Sequence, residues 1–267
     1  MNLEYLNNTF GLQGKNAIVS GASQGIGRAV AESLANLGAH VTLLGRNRTA
    51  LEQAVCDIRK TGGEADWAAF DVADQPDVDR FFEEYLRVRK LDIFVNNAAY
   101  SIRKRLCETS GPDVDGLIRT NVKGAMFCLQ RAAQAMKAQR DGNIVILTSV
   151  NALDPLPTQA MYTGTKAMLE TMMRCLAADL AQYNVRVNSC APGAVDTAMN
   201  AQEWTSREAV SQAGEGIPLR HVATPQEIGD AVAAMVGPAF RYMTGSTVLV
   251  DGGLMLRVMP EGTGGVI

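Results

Sequence analysis

Metal-binding side chains are scarce in this chain. It has only two histidines, His40 and His221, and its five cysteines are scattered without a Cys-x-x-Cys pair. A zinc site needs a cluster of such ligands, and an odd number of dispersed cysteines does not suggest a disulfide framework. We therefore expect no metal site and no disulfide, which disfavours a zinc-dependent alcohol dehydrogenase.

An excess of basic charge and long apolar runs are also missing. The formal net charge is −3, so the chain has no broad positive field for nucleic acid or an anionic membrane surface. No stretch approaches the roughly 18 apolar residues of a membrane span, and the start has no basic region followed by an apolar run. The sequence predicts a cytoplasmic protein with neither nucleic-acid nor membrane partners.

Apolar residues are abundant by contrast, and they follow a regular pattern. They make up 47% of the 267 residues, enough for a substantial core. Short β-branched runs alternate with longer amphipathic segments, which predicts βαβ units and a parallel sheet covered on both faces. We predict an α/β fold, a Rossmann-like doubly wound sheet of seven parallel strands, from the runs NAIVSG, HVTLLG, DWAAFDV, LDIFVNN, NIVILTS, VRVNSCAP and STVLVDGG.

One domain over residues 1–267 accounts for this pattern, because no Pro/Gly/Ser-rich linker or internal repeat divides the chain. The longest departures from it are residues 98–111 and 194–217. Loops of that length in a compact domain usually bind or cover something. We expect residues 194–217 to form a loop or lid over the substrate.

A glycine-rich turn follows the first predicted strand. Gly21, Gly25 and Gly27 open the next helix, where a tight turn and exposed helix amides suit a pyrophosphate. Their spacing, Gly-x-x-x-Gly-x-Gly, differs from the common Gly-x-Gly-x-x-Gly fingerprint. A purely structural turn is the alternative, but the position at the first βα junction favours a dinucleotide.

The end of the second strand bears on which dinucleotide binds. NAD sites usually carry an acidic residue there, whereas this chain has Gly45 and Arg46. Glycine leaves room for a 2′-phosphate and arginine can pair with it, which favours NADP(H) over NAD(H). A solvated loop cation is the alternative for Arg46. Asp71, at the end of the third strand, either contacts the adenine edge or caps a helix.

A Tyr-x-x-x-Lys spacing occurs twice, at Tyr100/Lys104 and at Tyr162/Lys166. Residues four apart share one face of a helix but have no such relation in a loop. The first pair falls in a segment ending in Ser-Gly-Pro, whereas the second begins a predicted helix. Ser149 ends the fifth predicted strand thirteen residues before Tyr162. The second pair is therefore the candidate acid/base device.

Two asparagine positions complete the pattern. Asn96 and Asn97 lie at the end of the fourth strand, where they either shape the corner or face a ligand. Asn121 lies on the apolar face of the following helix, so it needs polar partners. Structural pairing and a catalytic water relay would both satisfy it.

Together these motifs resemble those of the short-chain dehydrogenase/reductase family over essentially the whole chain. The resemblance rests on the glycine turn, Asn96–Ala98, Asn121, Ser149, the Tyr162/Lys166 pair, Pro-Gly at 192–193 and Asp-Gly-Gly at 251–253. Two positions depart from the family pattern. Ser20 replaces the usual threonine but keeps a hydroxyl, and Ala99 stands where glycine is usual.

The resemblance implies an enzyme that interconverts a secondary alcohol and a ketone by hydride transfer, with Tyr162 as general acid/base. It implies that Lys166 and the oxidised nicotinamide lower the phenol pKa, that Ser149 orients the substrate oxygen, and that Asn121 holds a relay water. The expected cofactor-binding residues are Ser20, Gly21, Ser23, Gln24, Gly25, Ile26, Gly27, Arg46, Asp71, Val72, Asn97, Ala98, Tyr162, Lys166, Pro192, Gly193, Val195 and Thr197.

The substrate and the assembly are less closely defined. A polyol, a sugar acid and a 3-oxoacyl compound are the first candidates, with a steroid or xenobiotic ketone as the alternative. A non-catalytic NADP-binding regulatory protein is the rival from another class. The basic loop Arg103–Arg105 is a candidate anion contact, and Met199, Trp204 and Met243 are candidates for an apolar lid. The resemblance also implies a homotetramer or homodimer that pairs the helices carrying Asn121 and Tyr162.

Overall fold

A single parallel sheet organises the protein. The computed structural model describes residues 2–201 and 203–256. Its strands run in the order β3-β2-β1-β4-β5-β6-β7, and every neighbouring pair is parallel. They are β1 (Asn16–Ser20), β2 (His40–Gly45), β3 (Glu64–Ala69), β4 (Ile93–Asn96), β5 (Gly142–Leu147), β6 (Val185–Pro192) and β7 (Thr247–Val250). The predicted seven-stranded Rossmann-like doubly wound fold is confirmed.

Helices connect the strands and cover both faces of the sheet. They are α1 (Leu3–Phe10), α2 (Gly25–Asn36), α3 (Arg48–Lys60), α4 (Gln75–Val88), α5 (Gly111–Leu117), α6 (Ala125–Gln139), α7 (Ala160–Leu180), α8 (Arg207–Glu215) and α9 (Pro225–Val236). A π-helical segment, Ile118–Gly124, joins α5 to α6. No helix within the described ranges is long and apolar enough to cross a membrane.

The period-two alternation of the strands divides the core into two layers. Val19 and Leu43 point to the side covered by α2, α3 and α9, whereas Ile18 and Phe94 point to the side covered by α4, α6 and α7. All four side chains are completely buried. Burying each such side chain contributes about 1.5–3 kcal/mol, so the two layers together fix the sheet between its helices.

Three boundaries differ from the sequence predictions. The third strand ends at Ala69 and the fifth at Leu147, each two residues before the functional candidate that was expected to end it. Asp71 and Ser149 therefore lie in the turns that follow the strands. The segment 194–217 is not a continuous loop, because it contains α8.

Candidate active site

A cleft opens where the strand order reverses, between the carboxyl ends of β1 and β4. The glycine turn forms one wall of it, and Gly21 has φ +67°, in the left-handed region that glycine tolerates best. A Cβ atom on Gly21 would lie 2.7 Å from the Cα of Ala98, and one on Gly27 would lie 2.4 Å from Nδ2 of Asn97. The turn thus requires glycine for close approach to β4.

Asn97 and Ser20 hold this turn in place. The amide of Asn97 donates to the carbonyls of Ser20 and Gly21, each at 3.0 Å. The Ser20 hydroxyl accepts from the backbone N–H groups of Asn97 and Ala98 at 3.0 and 3.1 Å. Ser20 is completely buried behind the turn. Asn97 was expected either to shape this corner or to face a ligand. Both hydrogens of its amide are used in shaping the corner.

Ala99 fits this corner although glycine is usual there. The non-glycine residues with positive φ in the described part of the chain are Arg140, Asn184 and Arg220. Ala99 is not among them, so its methyl group imposes no left-handed strain.

Two adjoining cavities occupy the cleft, and they share Ile26, Thr197 and Met199. The first, at the glycine turn, contains most of the expected cofactor residues: Gly21, Ser23, Gln24, Gly25, Ile26, Arg46, Asp71, Val72, Asn97, Ala98 and Thr197. The second contains Ser149, Tyr162, Pro192, Gly193 and Val195. Ser20, Gly27, Asn121 and Lys166 line neither cavity in the protein alone.

Arg46 and Asp71 differ in how far they are already engaged. Arg46 is exposed at the rim of the first cavity, and it has no ion pair or side-chain hydrogen bond within residues 2–201 and 203–256. Asp71 pairs with Arg119 at 3.0 Å and accepts from the backbone of Ala73. The helix-capping alternative for Asp71 is wrong, because Asp74 caps α4.

Tyr162 and Ser149 face each other in the second cavity. Tyr162 is the third residue of α7, and Ser149 lies in the turn after β5, where its hydroxyl accepts from the backbone N–H of Asn151 at 3.1 Å. Burial raises the pKa of Tyr162 to about 12, opposed by a hydrogen bond with Ser149 and by the positive charge of Arg103. The phenol is therefore protonated at neutral pH in the protein alone.

Lys166 lies one turn along α7 and is 3% exposed. Its ammonium donates to the carbonyl of Leu147 at 2.7 Å and lies 5.8 Å from the centre of the Tyr162 ring. Burial lowers the pKa of Lys166 to about 8. We expected Lys166 to help lower the phenol pKa, but desolvation of the phenolate is the larger effect in the protein alone.

Asn121 lies in the π-helical segment and is completely buried. Its Oδ1 accepts from the N–H of Tyr100 at 2.7 Å, while Nδ2 donates to the carbonyl of Tyr100 and to the Thr165 hydroxyl at 2.8 and 3.0 Å. Both amide hydrogens are thus used inside the protein. On the side chain, the second lone pair of Oδ1 is left as an acceptor for a relay water.

The rival Tyr100/Lys104 pair is not arranged as an acid/base device. Lys104 forms an ion pair with Asp113 at 2.7 Å, and the ring of Tyr100 is 42% exposed. Neither residue lines either cavity. The choice of Tyr162 and Lys166 over this pair agrees with the geometry.

The second cavity includes residues that the sequence did not single out. They include Ser101, Val150, Asn151, Leu156, Gln159, Asn200, Glu203 and Leu254. These residues lie in loops, turns and three-residue 3-10 helices, where neither periodicity nor a motif marks a position. Of the basic loop, only Arg103 lines this cavity, and it forms an ion pair with Glu203. Met243 packs against the core near β6 rather than against the lid.

A glycine turn at the switch point of a doubly wound sheet defines a dinucleotide-binding α/β protein. Comparison with known proteins then assigns the family. A family model described as "Enoyl-(Acyl carrier protein) reductase" matches residues 21–255. The chain belongs to the short-chain dehydrogenase/reductase family, and it is an oxidoreductase of the type that acts on CH–OH groups.

Individual relatives resemble it over nearly their full length. The 2,3-dihydro-2,3-dihydroxybenzoate dehydrogenase of Bacillus subtilis is 32% identical over 94% of this chain and 100% of its own. A gluconate 5-dehydrogenase from Burkholderia cenocepacia, solved with NADP and tartrate, is 30% identical with a TM-score of 0.88. The match covers 95% of this chain and 100% of the other. A 3-oxoacyl (acyl-carrier-protein) reductase from Agrobacterium tumefaciens, with NADP bound, is 30% identical with a TM-score of 0.87. The match covers 94% of this chain and 98% of the other.

Proposed function

We propose that this protein is an NADP(H)-dependent oxidoreductase that interconverts a secondary alcohol and a ketone. One observation carries the proposal. Tyr162 and Ser149 line one cavity, and this cavity shares Ile26, Thr197 and Met199 with the cavity of the glycine turn. A substrate oxygen held by those two hydroxyls would place its carbon beside whatever the glycine turn binds.

The first cavity fits a phosphorylated dinucleotide. Backbone comes too close at Gly21 for any side chain, and the amino end of α2 directs its N–H groups at this wall. Arg46 supplies an exposed cation at the rim, next to Gly45, which suits a 2′-phosphate. Two related structures contain NADP. When bound, the coenzyme would supply or accept the hydride.

The residues of the second cavity would manage the proton. Because the pKa of Tyr162 is raised to about 12, its phenol is protonated at neutral pH and is ready to donate to a ketone oxygen during reduction. Oxidation requires the phenolate, so a nearby positive charge must lower that pKa. Lys166, held by Leu147, would contact the coenzyme ribose, and Ser149 would orient the substrate oxygen.

The substrate class follows from the lining of the second cavity. Arg103, Asn151 and Gln159 give it polar character, which favours a polyol, a sugar acid or a polar 3-oxoacyl compound. The apolar side chains of Val150, Leu156 and Trp204 favour the second candidate, a steroid or xenobiotic ketone. Residues 194–217 would form the lid over either substrate.

Assembly is also a proposal. Apolar side chains line a groove on the outer face of α6 and α7, and Met126 and Met168 in it are 41% and 38% exposed. A second copy of the chain is the occupant that we propose, because the same two helices would then pair across a two-fold axis in a homodimer or homotetramer.

Substitution of Tyr162 by phenylalanine tests the chemistry. Tyr162→Phe removes the proton donor without changing the ring, so turnover of an accepted ketone should fall at least about 1,000-fold while NADPH still binds. NADPH oxidation and fluorescence titration measure the two quantities. Tyr100→Phe, which alters a tyrosine outside both cavities, is the matched control. Retained turnover in Tyr162→Phe would reject the assignment.

A further inference from the structure

A pair of side-chain amides lies beside the two hydroxyls of the second cavity. Asn151 and Gln159 both line this cavity together with Ser149 and Tyr162. Gln159 is only 6% exposed. A buried amide of this kind is normally hydrogen-bonded through most of its capacity, so the partners of this pair bear on what the cavity binds.

The pair leaves one of its two amide nitrogens and one of its two amide oxygens without a protein partner. Asn151 Nδ2 donates to Gln159 Oε1 at 2.7 Å. Within the described ranges, neither Gln159 Nε2 nor Asn151 Oδ1 has a protein partner. Exchanging oxygen and nitrogen in both amides gives the same outcome, because one amide nitrogen and one amide oxygen then still remain free. The pair therefore offers the cavity one donor group and one acceptor.

The position of the pair relates it to the reacting atoms. The backbone N–H of Asn151 donates to the Ser149 hydroxyl at 3.1 Å. Gln159 directly precedes α7, three residues before Tyr162. The amides thus adjoin both hydroxyls that would hold the substrate oxygen. A group that binds them belongs close to the carbon that is oxidised or reduced.

We propose that Asn151 and Gln159 recognise a second hydroxyl next to the reacting carbon, so that the substrate is a vicinal diol and its product an α-hydroxy ketone. This proposal rests on the proposed oxidoreductase function. A hydroxyl both donates and accepts, which matches one free amide nitrogen and one free amide oxygen. Gln159 Nε2 and Asn151 Oδ1 reach solvent in the protein alone. A bound alkyl group would displace that water and leave both atoms without a partner, and a carboxylate would oppose the free oxygen.

Paired substrates that differ by this hydroxyl provide the test. Acetoin and butan-2-one are reduced with NADPH, and cyclohexane-1,2-diol and cyclohexanol are oxidised with NADP. The wild type should prefer acetoin and the diol by about 10- to 100-fold in kcat/KM. Gln159→Met, which keeps the length of the side chain, should reduce this preference to within about threefold. Leu156→Met, at an apolar position of the same cavity, should leave the preference unchanged.

The selectivity ratio separates recognition from a merely structural role. Equal losses on both members of a pair in Gln159→Met would overturn the proposal, as would a wild type with no preference for the hydroxylated member. If neither member of a pair is turned over, binding is measured instead. The diol should then raise the melting temperature of the wild type with NADP more than cyclohexanol does. Wild type without turnover on a broad carbonyl panel rejects the proposed function, whereas turnover without diol preference rejects only this inference.

Discussion

Arg46 is the residue on which coenzyme choice depends. A charge-assisted contact with a 2′-phosphate is worth about 1.5–3 kcal/mol. Arg46→Ala should therefore weaken the binding of NADPH about 10- to 100-fold and the binding of NADH less than about threefold. Titration with the two coenzymes measures both constants. Arg48→Ala is the matched control, since Arg48 is exposed two residues away but pairs with Glu52 and lies over Trp67. Equal losses for the two coenzymes would exclude the phosphate contact.

Lys166 is a residue whose burial costs stability. The pKa of its ammonium is lowered to about 8 from the ordinary 10.5, so the unfolded chain binds more protons between those values and stability rises with pH across that window. Lys166→Met should be at least as stable as the wild type at pH 7, although inactive. The stability advantage of Lys166→Met over the wild type should shrink as the pH rises from about 8 to 10.5.

Thermal melts at pH 7, 8.5 and 9.5 measure this difference. Each unit of pKa shift corresponds to about 1.4 kcal/mol, and each kcal/mol moves the melting temperature of a chain of this size by about 2–4 °C. The shift from 10.5 to about 8 therefore sets an upper limit of roughly 7–14 °C on the advantage at pH 7. Lys123→Met, at an exposed position of the π-helical segment, should show no such pH dependence. A Lys166→Met variant that is less stable at pH 7 would show that the Leu147 contact outweighs the desolvation.

The site residues that could be predicted from the sequence are those whose chemistry needs a rare combination of residue types. The glycines, Ser149, Tyr162 and Lys166 are identifiable because a motif fixes their spacing. Asn151 and Gln159 were missed because each lies in a 3-10 helical turn of only three residues. Their relation appears only through a contact between residues eight positions apart. The direction of the Tyr162 pKa also escaped prediction, since it depends on burial that spacing does not encode.

Among the larger elements, the segment 194–217 is the one that we expect to move. Arg103 connects it to the loop after β4, through the ion pair with Glu203 and a 3.4 Å hydrogen bond to Asn200. Half-exposed ion pairs are worth little, about 0–1 kcal/mol, so this connection can open easily. Arg103→Ala should raise the substrate KM several-fold, leave NADPH binding unchanged, and speed tryptic cleavage after Arg207.

Lys104→Ala provides the control for the lid, because Lys104 neighbours Arg103 but pairs with Asp113 outside both cavities. It should change neither the substrate KM nor the cleavage rate. If Arg103→Ala left both quantities at their wild-type values, residues 194–217 would not be held by this contact.

The elements themselves were predicted well where the hydrophobic period is regular. The bounds of β2 and β6 match the predicted runs. The π-helical segment around Asn121 was not predicted, because a helix with one wider turn keeps nearly the same apolar spacing. Helix α8 was missed inside the predicted loop, since its residues are mostly polar and only partly buried.

For the whole molecule, the groove on α6 and α7 makes a prediction about assembly. Met172 lines this groove, so Met172→Lys should place a charge in the proposed interface and shift the protein to monomers. Light scattering after size exclusion measures the mass. Leu86→Lys alters an exposed apolar residue on α4, outside the groove, and should leave the mass unchanged. A monomeric wild type would contradict the proposed assembly.

Helix α7 bears Tyr162 near its amino end and the groove residues Met168 and Met172 on its outer face. The helix that positions the proton donor is therefore the same helix against which a neighbouring copy would pack. Loss of that neighbour would make the position of the Tyr162 phenol less fixed. Activity per molecule should then decline as the enzyme is diluted, and saturating coenzyme should restore part of it.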